Sequence, residues 1–244
     1  MTETKTSQRR DDLAYLAPMA IYMVLVGIGN YWAPLYVPAY FARMLLVPIV
    51  LLYFWRHYAP IRWTHLSLGA LVGIIGVVQW VGMEKLLQHL FTAAGAHHVP
   101  LAGWVPYYGF FTKPLESDFF FDPFSRIHNP AARYAFIAVH WAGATLVVPV
   151  MEELFWRDYL WRNIYAPANF KMAAIGDWDW MTVVVVGLAF CLVHPWWITA
   201  IVWALLIAWL LIHTRSLGAC IVAHGVTNFL LAMYVLIYRD WVLW

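Results

Sequence analysis

Charged residues are scarce in this sequence. Only 11% of its 244 residues are Asp, Glu, Lys or Arg, whereas 64% are hydrophobic. An ordinary soluble domain carries about 25% charged residues, and a core of this size could not bury so many apolar side chains. The composition therefore excludes a disordered chain and a soluble globule, and it predicts a polytopic membrane protein. The net charge of +2 gives no reason to expect a nucleic-acid partner.

Several common signatures of other protein classes are also missing. The two cysteines, Cys191 and Cys220, lie inside apolar runs without a CxxC spacing, so no disulfide framework is expected. The sequence has no Gly-x-Ser-x-Gly, Ser-Lys or HExxH arrangement, which disfavours the usual serine hydrolases and zinc proteases. Because internal repeats and low-complexity tracts are absent too, residues 1–244 are predicted to form a single integral membrane domain.

Long apolar runs dominate what is present. A bilayer crossing needs about 20 apolar residues. The candidate spans are Leu13–Asn30, Ala39–Trp55, Leu66–Met83, a helix from near Ala132, two helices within Met181–Ile212, and Leu217–Tyr238. As one helix, the charge-free run Met181–Ile212 would be about 48 Å long, and Pro195 is expected to break it. The prediction is an all-α transmembrane bundle of about seven spans (six to eight) with a polar cavity within the membrane.

Basic residues predict how the chain is oriented. Lys5, Arg9 and Arg10 place the N-terminus in the cytoplasm by the positive-inside rule. The span count then puts Arg56, Arg62, Arg162, Lys171 and Arg215 on the same side. Three further basic residues fall on the opposite side, in the long third connection: Lys113, Arg126 and Arg133. The majority predicts an integral membrane protein with a cytoplasmic N-terminus.

The third connection, residues 84–130, is rich in aromatic residues and contains five prolines. Proline removes helix hydrogen bonds, so this segment is not expected to be one straight helix. Aromatic side chains favour the membrane interface. An interfacial segment and a gate over a substrate groove are both compatible with this composition.

Ionisable residues at membrane depth are costly and mark candidate functional sites. Glu152 and Glu153 directly follow an apolar run. Glu153 and Arg157 are spaced i, i+4, so they share a helical face and can form an ion pair. Glu152 points about 100° away from that face, so it is expected to contact a group other than Arg157.

Two more polar motifs lie in apolar segments. Phe190 and His194 are spaced i, i+4, as are His224 and Asn228. Counting residues from the predicted turns places Glu152 and His194 at about the same depth, roughly 21 Å from one membrane face. His224 and Asn228 lie about 12 to 18 Å deep from that face. The four side chains are therefore expected to meet in one layer inside the bilayer.

The order EExxxR, FxxxH and HxxxN, each on an apolar helix, resembles the CAAX-protease and bacteriocin-processing (CPBP) family. These are prenyl-protein endopeptidases, also called Abi proteins. The similarity covers about Ala144 to Leu231, and three motifs in order are specific. The run Glu152–Arg162 also resembles the bacterial subgroup linked to exosortase systems.

The resemblance implies an intramembrane glutamic endopeptidase built on helices within residues 132–238, working without a cofactor on a membrane-associated peptide or protein. It implies that Glu152 activates water with help from His194. It further implies that His224 and Asn228 stabilise the oxyanion.

The remaining motif residues have supporting roles by the same resemblance. Glu153 pairs with Arg157 and holds the helices together, and Phe190 is the first residue of FxxxH. The substrate stays open among a prenylated CAAX tail, a bacteriocin leader and a sorting-signal segment.

Two alternatives remain open. Glu152, His194 and His224 also form a possible two-histidine, one-carboxylate set for a zinc-dependent membrane protease. A non-enzymatic transporter or scaffold would also bury ionisable residues. Transporters often have inverted repeats, and the sequence shows none.

Overall fold

The computed structural model describes residues 2–93 and 120–243. Within this part, the chain is helical and contains no strand. The principal helices are α1 Thr2–Tyr31, α2 Tyr36–Tyr53, α3 Leu66–Ala93, α4 Pro123–Arg126, α5 Pro130–Tyr165, α6 Trp180–Leu192, α7 Trp197–Thr214 and α8 Leu217–Tyr238. Short 3₁₀ segments are Ala33–Leu35, Trp55–His57, Phe170–Met172 and Trp241–Leu243.

Six of these helices are long and apolar enough to cross a membrane, and the shorter apolar helix α6 adds a seventh segment. The break between α6 and α7 falls at residues 193–196, around Pro195. Asp179 caps α6 by accepting a hydrogen bond from the backbone N–H of Thr182 at 2.7 Å, which lowers the pKa of this carboxyl. The predicted polytopic helical bundle of about seven spans is confirmed.

Helix α5 is irregular where it carries the first motif. Two π-helical stretches, Gly143–Val147 and Leu154–Leu160, flank the α-helical stretch Val148–Glu153. Wider turns of this kind shift the register of a helix and occur frequently at functional sites. Pro149 contributes to the irregularity because it has no N–H to donate.

Contacts between helix ends and loops define one face of the bundle. At one face, Asp11 near the start of α1 pairs with Lys171 at 2.6 Å and with His57 at 2.9 Å. At that same face, Ser216 donates a hydrogen bond to the carbonyl of Arg62 at 2.8 Å. These contacts bring together the N-terminal part of α1 and the loops that the positive-inside rule assigns to one side.

Close packing of α3 against α8 depends on glycine. A Cβ at Gly69 would lie 2.5 Å from the carbonyl oxygen of Ala219, and one at Gly73 would lie 2.6 Å from that of Ala223. The absence of side chains allows the two backbones to approach, as small residues do in membrane bundles. This contact fixes the depth of α8 and therefore of the histidine and asparagine that it carries.

Two details of the sequence interpretation were wrong. Helix α3 does not stop at Met83 but continues to Ala93, because Glu84 is buried and accepts a hydrogen bond from Thr199 instead of marking a membrane boundary. The connection predicted from residue 84 therefore starts later. Residues 94–119, which make up most of it, lie outside the described residues.

Candidate active site

A cavity of about 360 Å³ lies inside the bundle, with walls from α1, α2, α3, α5 and α8 and from the connection between α6 and α7. Its volume is within the range of about 300–1,000 Å³ that is usual for ligand sites. The residues predicted to carry the chemistry all line it: Glu152, His194, His224 and Asn228. The fold thus brings side chains from three separate motifs to one cavity.

Glu152 reaches this cavity from the α-helical stretch between the two π segments. It is 7% exposed, and its Oε2 has no hydrogen-bond partner among the described residues. Burying a carboxylate without a partner costs free energy. Such a group is therefore available to a molecule that enters the cavity.

Glu153 does not line the cavity and instead connects α5 to α8. Its Oε1 accepts a hydrogen bond from Nδ1 of His224 at 2.8 Å, and its Oε2 lies 3.3 Å from Nε of Arg157 in an ion pair. Both partners of this ion pair are almost completely buried. The predicted pair between Glu153 and Arg157 is therefore present, and it extends to a histidine that also lines the cavity.

His194 lies beyond the end of α6, since the helix stops at Leu192; the sequence interpretation had placed it on the helical face. Its Nδ1 lies 2.8 Å from the carbonyl oxygen of Phe190. A carbonyl can only accept, so Nδ1 carries a proton, and in the neutral ring Nε2 is left as an acceptor. The hydrogen bond fixes both the ring orientation and the tautomer.

Phe190 holds this histidine in place through its ring. The two rings are stacked with centroids 4.1 Å apart, and Phe190 also stacks on Trp203 at 5.4 Å. The guanidinium of Arg157 also lies 4.8 Å from the Phe190 ring centroid. Phe190 of the FxxxH motif thus packs directly against Arg157 of the EExxxR motif.

Asn228 connects α8 to the first π segment of α5. Its Nδ2 donates a hydrogen bond to the carbonyl oxygen of Ala144 at 2.9 Å, and an amide nitrogen has a second N–H to offer. Between the two motif residues of α8, a Cβ at Gly225 would lie 2.9 Å from the carbonyl oxygen of Thr145. Glycine therefore lets α8 approach the irregular part of α5.

Residues outside the motifs also line the cavity. They include Tyr22 from α1, Tyr40 and Arg43 from α2, Trp80 from α3 and His140 from α5. The sequence interpretation assigned no role to the first 130 residues. One signal was available, because Arg43 is the single charged residue in the apolar span Ala33–Tyr53, and ionisable residues inside a span are candidate functional groups.

The described residues contain no group of three or more His, Cys, Asp or Glu side chains placed to hold a metal ion. Both cysteines are buried, and neither lines the cavity. Among the titratable motif residues, the carboxylate of Glu152 and the imidazoles of His194 and His224 are the groups that line the cavity.

The comparison with known families locates the match on these same helices. Residues 134–230 match the family model of Rce1-like, type II CAAX prenyl endopeptidases. This segment contains all three motifs, from Glu152 to Asn228, and the resemblance to the CAAX protease family is confirmed. No curated protein and no solved structure matches the chain significantly.

The fold and the family match together define the class of this protein. It is an integral membrane protein, and residues 134–230 of its helical bundle are similar to the Rce1-like, type II CAAX prenyl endopeptidases. The match indicates a hydrolase and supports an intramembrane protease role. It also suggests a substrate associated with the lipid bilayer.

Proposed function

We propose that this protein is an intramembrane endopeptidase that hydrolyses a peptide bond near the end of a membrane-associated peptide or protein, using water activated by Glu152. The observation that carries the proposal is the buried Oε2 of Glu152, which has no hydrogen-bond partner among the described residues and lies in the cavity that also contains His194. A carboxylate oxygen that faces the cavity without such a partner is placed to accept a proton from a bound water, which is the role of a general base.

The proposed reaction needs a group that binds the water, a group that transfers its proton, and donors for the oxyanion. Nε2 of His194 accepts a hydrogen bond from the water, and Glu152 takes the other proton as the water oxygen bonds to the carbonyl carbon. Glu152 donates this proton to the leaving nitrogen as the tetrahedral intermediate collapses by breaking the carbon–nitrogen bond. The enzyme then ends in its starting state.

The oxyanion requires donors on the other side of the carbonyl. We assign this role to Asn228, through its second amide N–H, and to His224. Because Nδ1 of His224 already donates to Glu153, an Nε2–H donor requires the doubly protonated ring.

Asn228→Ala is expected to lower kcat about 10²–10³-fold with little change in KM, since an oxyanion donor acts mainly in the transition state. Steady-state cleavage of a fluorogenic peptide checks this. Asn163→Ala is the matched control, because Asn163 also donates from Nδ2 to a carbonyl, that of Tyr159, at 3.0 Å and does not line the cavity. A change confined to KM would contradict the oxyanion role.

Metal dependence is the direct test against the zinc alternative. We propose that catalysis needs no cofactor, so purified protein should cleave a hydrophobic peptide at the same rate with and without a strong chelator. Loss of activity in chelator, with recovery on adding zinc, would instead assign Glu152, His194 and His224 as zinc ligands. The absence of any cleavage by the folded protein would contradict the protease proposal itself.

We further propose that the protein lies in a bacterial inner membrane with its N-terminus in the cytoplasm. The face that contains Asp11 and Lys171 would then be cytoplasmic. The cavity extends to Asn30, near the last residue of α1, and to Tyr36, the first residue of α2. These two helix ends lie away from the face that contains Asp11. On this orientation, the substrate enters from the non-cytoplasmic half of the membrane.

A further inference from the structure

A buried tryptophan of helix α7 connects the two histidines of the proposed active site. Trp203 is 2% exposed and lines the cavity, although it belongs to none of the three motifs. Its ring centroid lies 4.7 Å from that of His224, at an interplanar angle of 65°, and 5.4 Å from that of the stacked Phe190 ring. Because Phe190 is also stacked on His194, these rings form a continuous row from the FxxxH motif to the HxxxN motif.

The hydrogen bond of His224 does not by itself determine where its second nitrogen points. Nδ1 donates to Oε1 of Glu153 at 2.8 Å, but the χ2 torsion of histidine has broad minima, so the ring could tilt while keeping this bond. Aromatic rings in contact prefer particular relative orientations, and the indole of Trp203 is packed against the imidazole at such an angle. The indole therefore restricts the direction of Nε2, which is the proposed oxyanion donor.

The same indole supports His194 through Phe190. The Nδ1 of His194 donates to the Phe190 carbonyl, and its ring lies on the Phe190 side chain. Phe190 is 1% exposed, and the guanidinium of Arg157 lies 4.8 Å from its ring and 5.5 Å from that of Trp203. A displacement of Trp203 is therefore transmitted to both histidines.

Ring packing, and not hydrogen bonding, is what Trp203 contributes in the part of the chain that the structure describes. Its Nε1 has no hydrogen-bond partner there, although a buried N–H without a partner costs free energy. A Cβ at Gly76 of α3 would lie 3.0 Å from this nitrogen. Glycine thus lets α3 contact the edge of the indole closely, which holds the ring from the side of another helix.

We propose that Trp203 is a positioning residue of the active site, which sets the orientation of the His224 ring directly and that of the His194 ring through Phe190. This inference rests on the proposed function, because Trp203 acts through the histidines assigned to the oxyanion and to the water. Catalytic groups must be held close to their productive geometry. The active site then includes α7, which carries none of the motifs.

A double-mutant cycle on kcat tests this role, with the purified protein and a fluorogenic hydrophobic peptide. Methionine at position 203 fills much of the space with a flexible side chain but has no ring plane. Trp203→Met is expected to lower kcat about 10²-fold, the cost of misplacing a catalytic group by about 1 Å, with KM changed less than about threefold. In the His224→Ala protein, the same substitution should cost about tenfold or less, because only the route through Phe190 remains.

Two variants show whether the ring is the feature that matters. Trp203→Phe keeps a ring beside Phe190 and His224 and removes no hydrogen bond to the described residues, so kcat should stay within about threefold of wild type. Trp161→Met is the matched control. Trp161 is 1% exposed and donates from Nε1 to the carbonyl of Asp177, but it does not line the cavity. This change should lower the melting temperature at least as much as Trp203→Met and leave kcat within about threefold.

Equal losses on Trp203→Met in the wild-type and His224→Ala proteins would overturn the proposal, because a residue that only stabilises the fold costs the same factor in both. A loss confined to KM, or a Trp203→Phe protein as slow as Trp203→Met, would overturn it as well. Trp203→Leu takes the place of Trp203→Met in the cycle if the methionine variant does not fold. A wild-type protein that cleaves no peptide would reject the proposed function and the positioning role together, whereas cleavage with additive losses would reject the positioning role alone.

Discussion

Glu152→Gln is expected to lower the rate of peptide cleavage about 10²–10⁴-fold, the usual contribution of a general base, while the protein remains folded and inserted. Glutamine has nearly the shape of glutamate but cannot take a proton from water. Its amide also fits the cavity, where Oε2 of Glu152 makes no hydrogen bond to the described residues. Cleavage of a fluorogenic peptide by the purified variant measures the loss.

A second buried glutamate provides the control for this experiment. Glu84 is 1% exposed and accepts a hydrogen bond from the Thr199 hydroxyl, but it does not line the cavity. Glu84→Gln keeps an acceptor for that hydroxyl and should cleave at close to the wild-type rate. A fully active Glu152→Gln protein would remove Glu152 from the mechanism, and equal losses in both variants would indicate a general effect of removing buried charge.

The helices were largely predictable because length and apolar composition determine which segments can span a bilayer. Helix α8 has the predicted bounds, Leu217–Tyr238. The charge-free run divides at Pro195 into α6 and α7, since the residues before a proline disfavour the helical conformation. Charge was a poorer guide to helix ends, because Glu84 is satisfied inside the bundle by Thr199 and the helix that carries it continues.

Part of the site was also predictable. Spacings of four residues place two side chains on one helical face, which is why the ion pair of Glu153 with Arg157 followed from the sequence alone. The extension of that pair to His224 depends on the approach of α8 to α5. No local pattern specifies such an approach between helices that are distant in the sequence.

The wall that contains Arg43 is the clearest example of what local reasoning missed. Its neighbours Tyr22 and His140 come from helices separated from it in the sequence, and aromatic residues are common throughout this chain. Only tertiary packing selects the ones that surround the cavity. The π-helical turns of α5 were equally hidden, although Pro149 indicated that this part of the helix is irregular.

Glu153→Ala is expected to lower the free energy of unfolding by about 3–5 kcal/mol, the usual cost of removing one partner from a buried ion pair. The Glu153 side chain is fully buried, and it is the ion-pair partner of Arg157, whose charge would be left at membrane depth. The same change removes the acceptor of His224 Nδ1. Thermal or denaturant-induced unfolding of the purified proteins in the same detergent compares the variant with wild type.

Two further variants separate loss of this pair from a general effect of lost charge. Glu153→Ala combined with Arg157→Met should recover much of the stability, because no unpaired charge remains. Lys171→Ala removes a half-exposed partner of Asp11 and should cost only about 0–1 kcal/mol, as surface ion pairs do. If Glu153→Ala unfolds together with wild type, the carboxylate does not hold α5 to α8, and its contact with His224 would then have to serve the oxyanion donor alone.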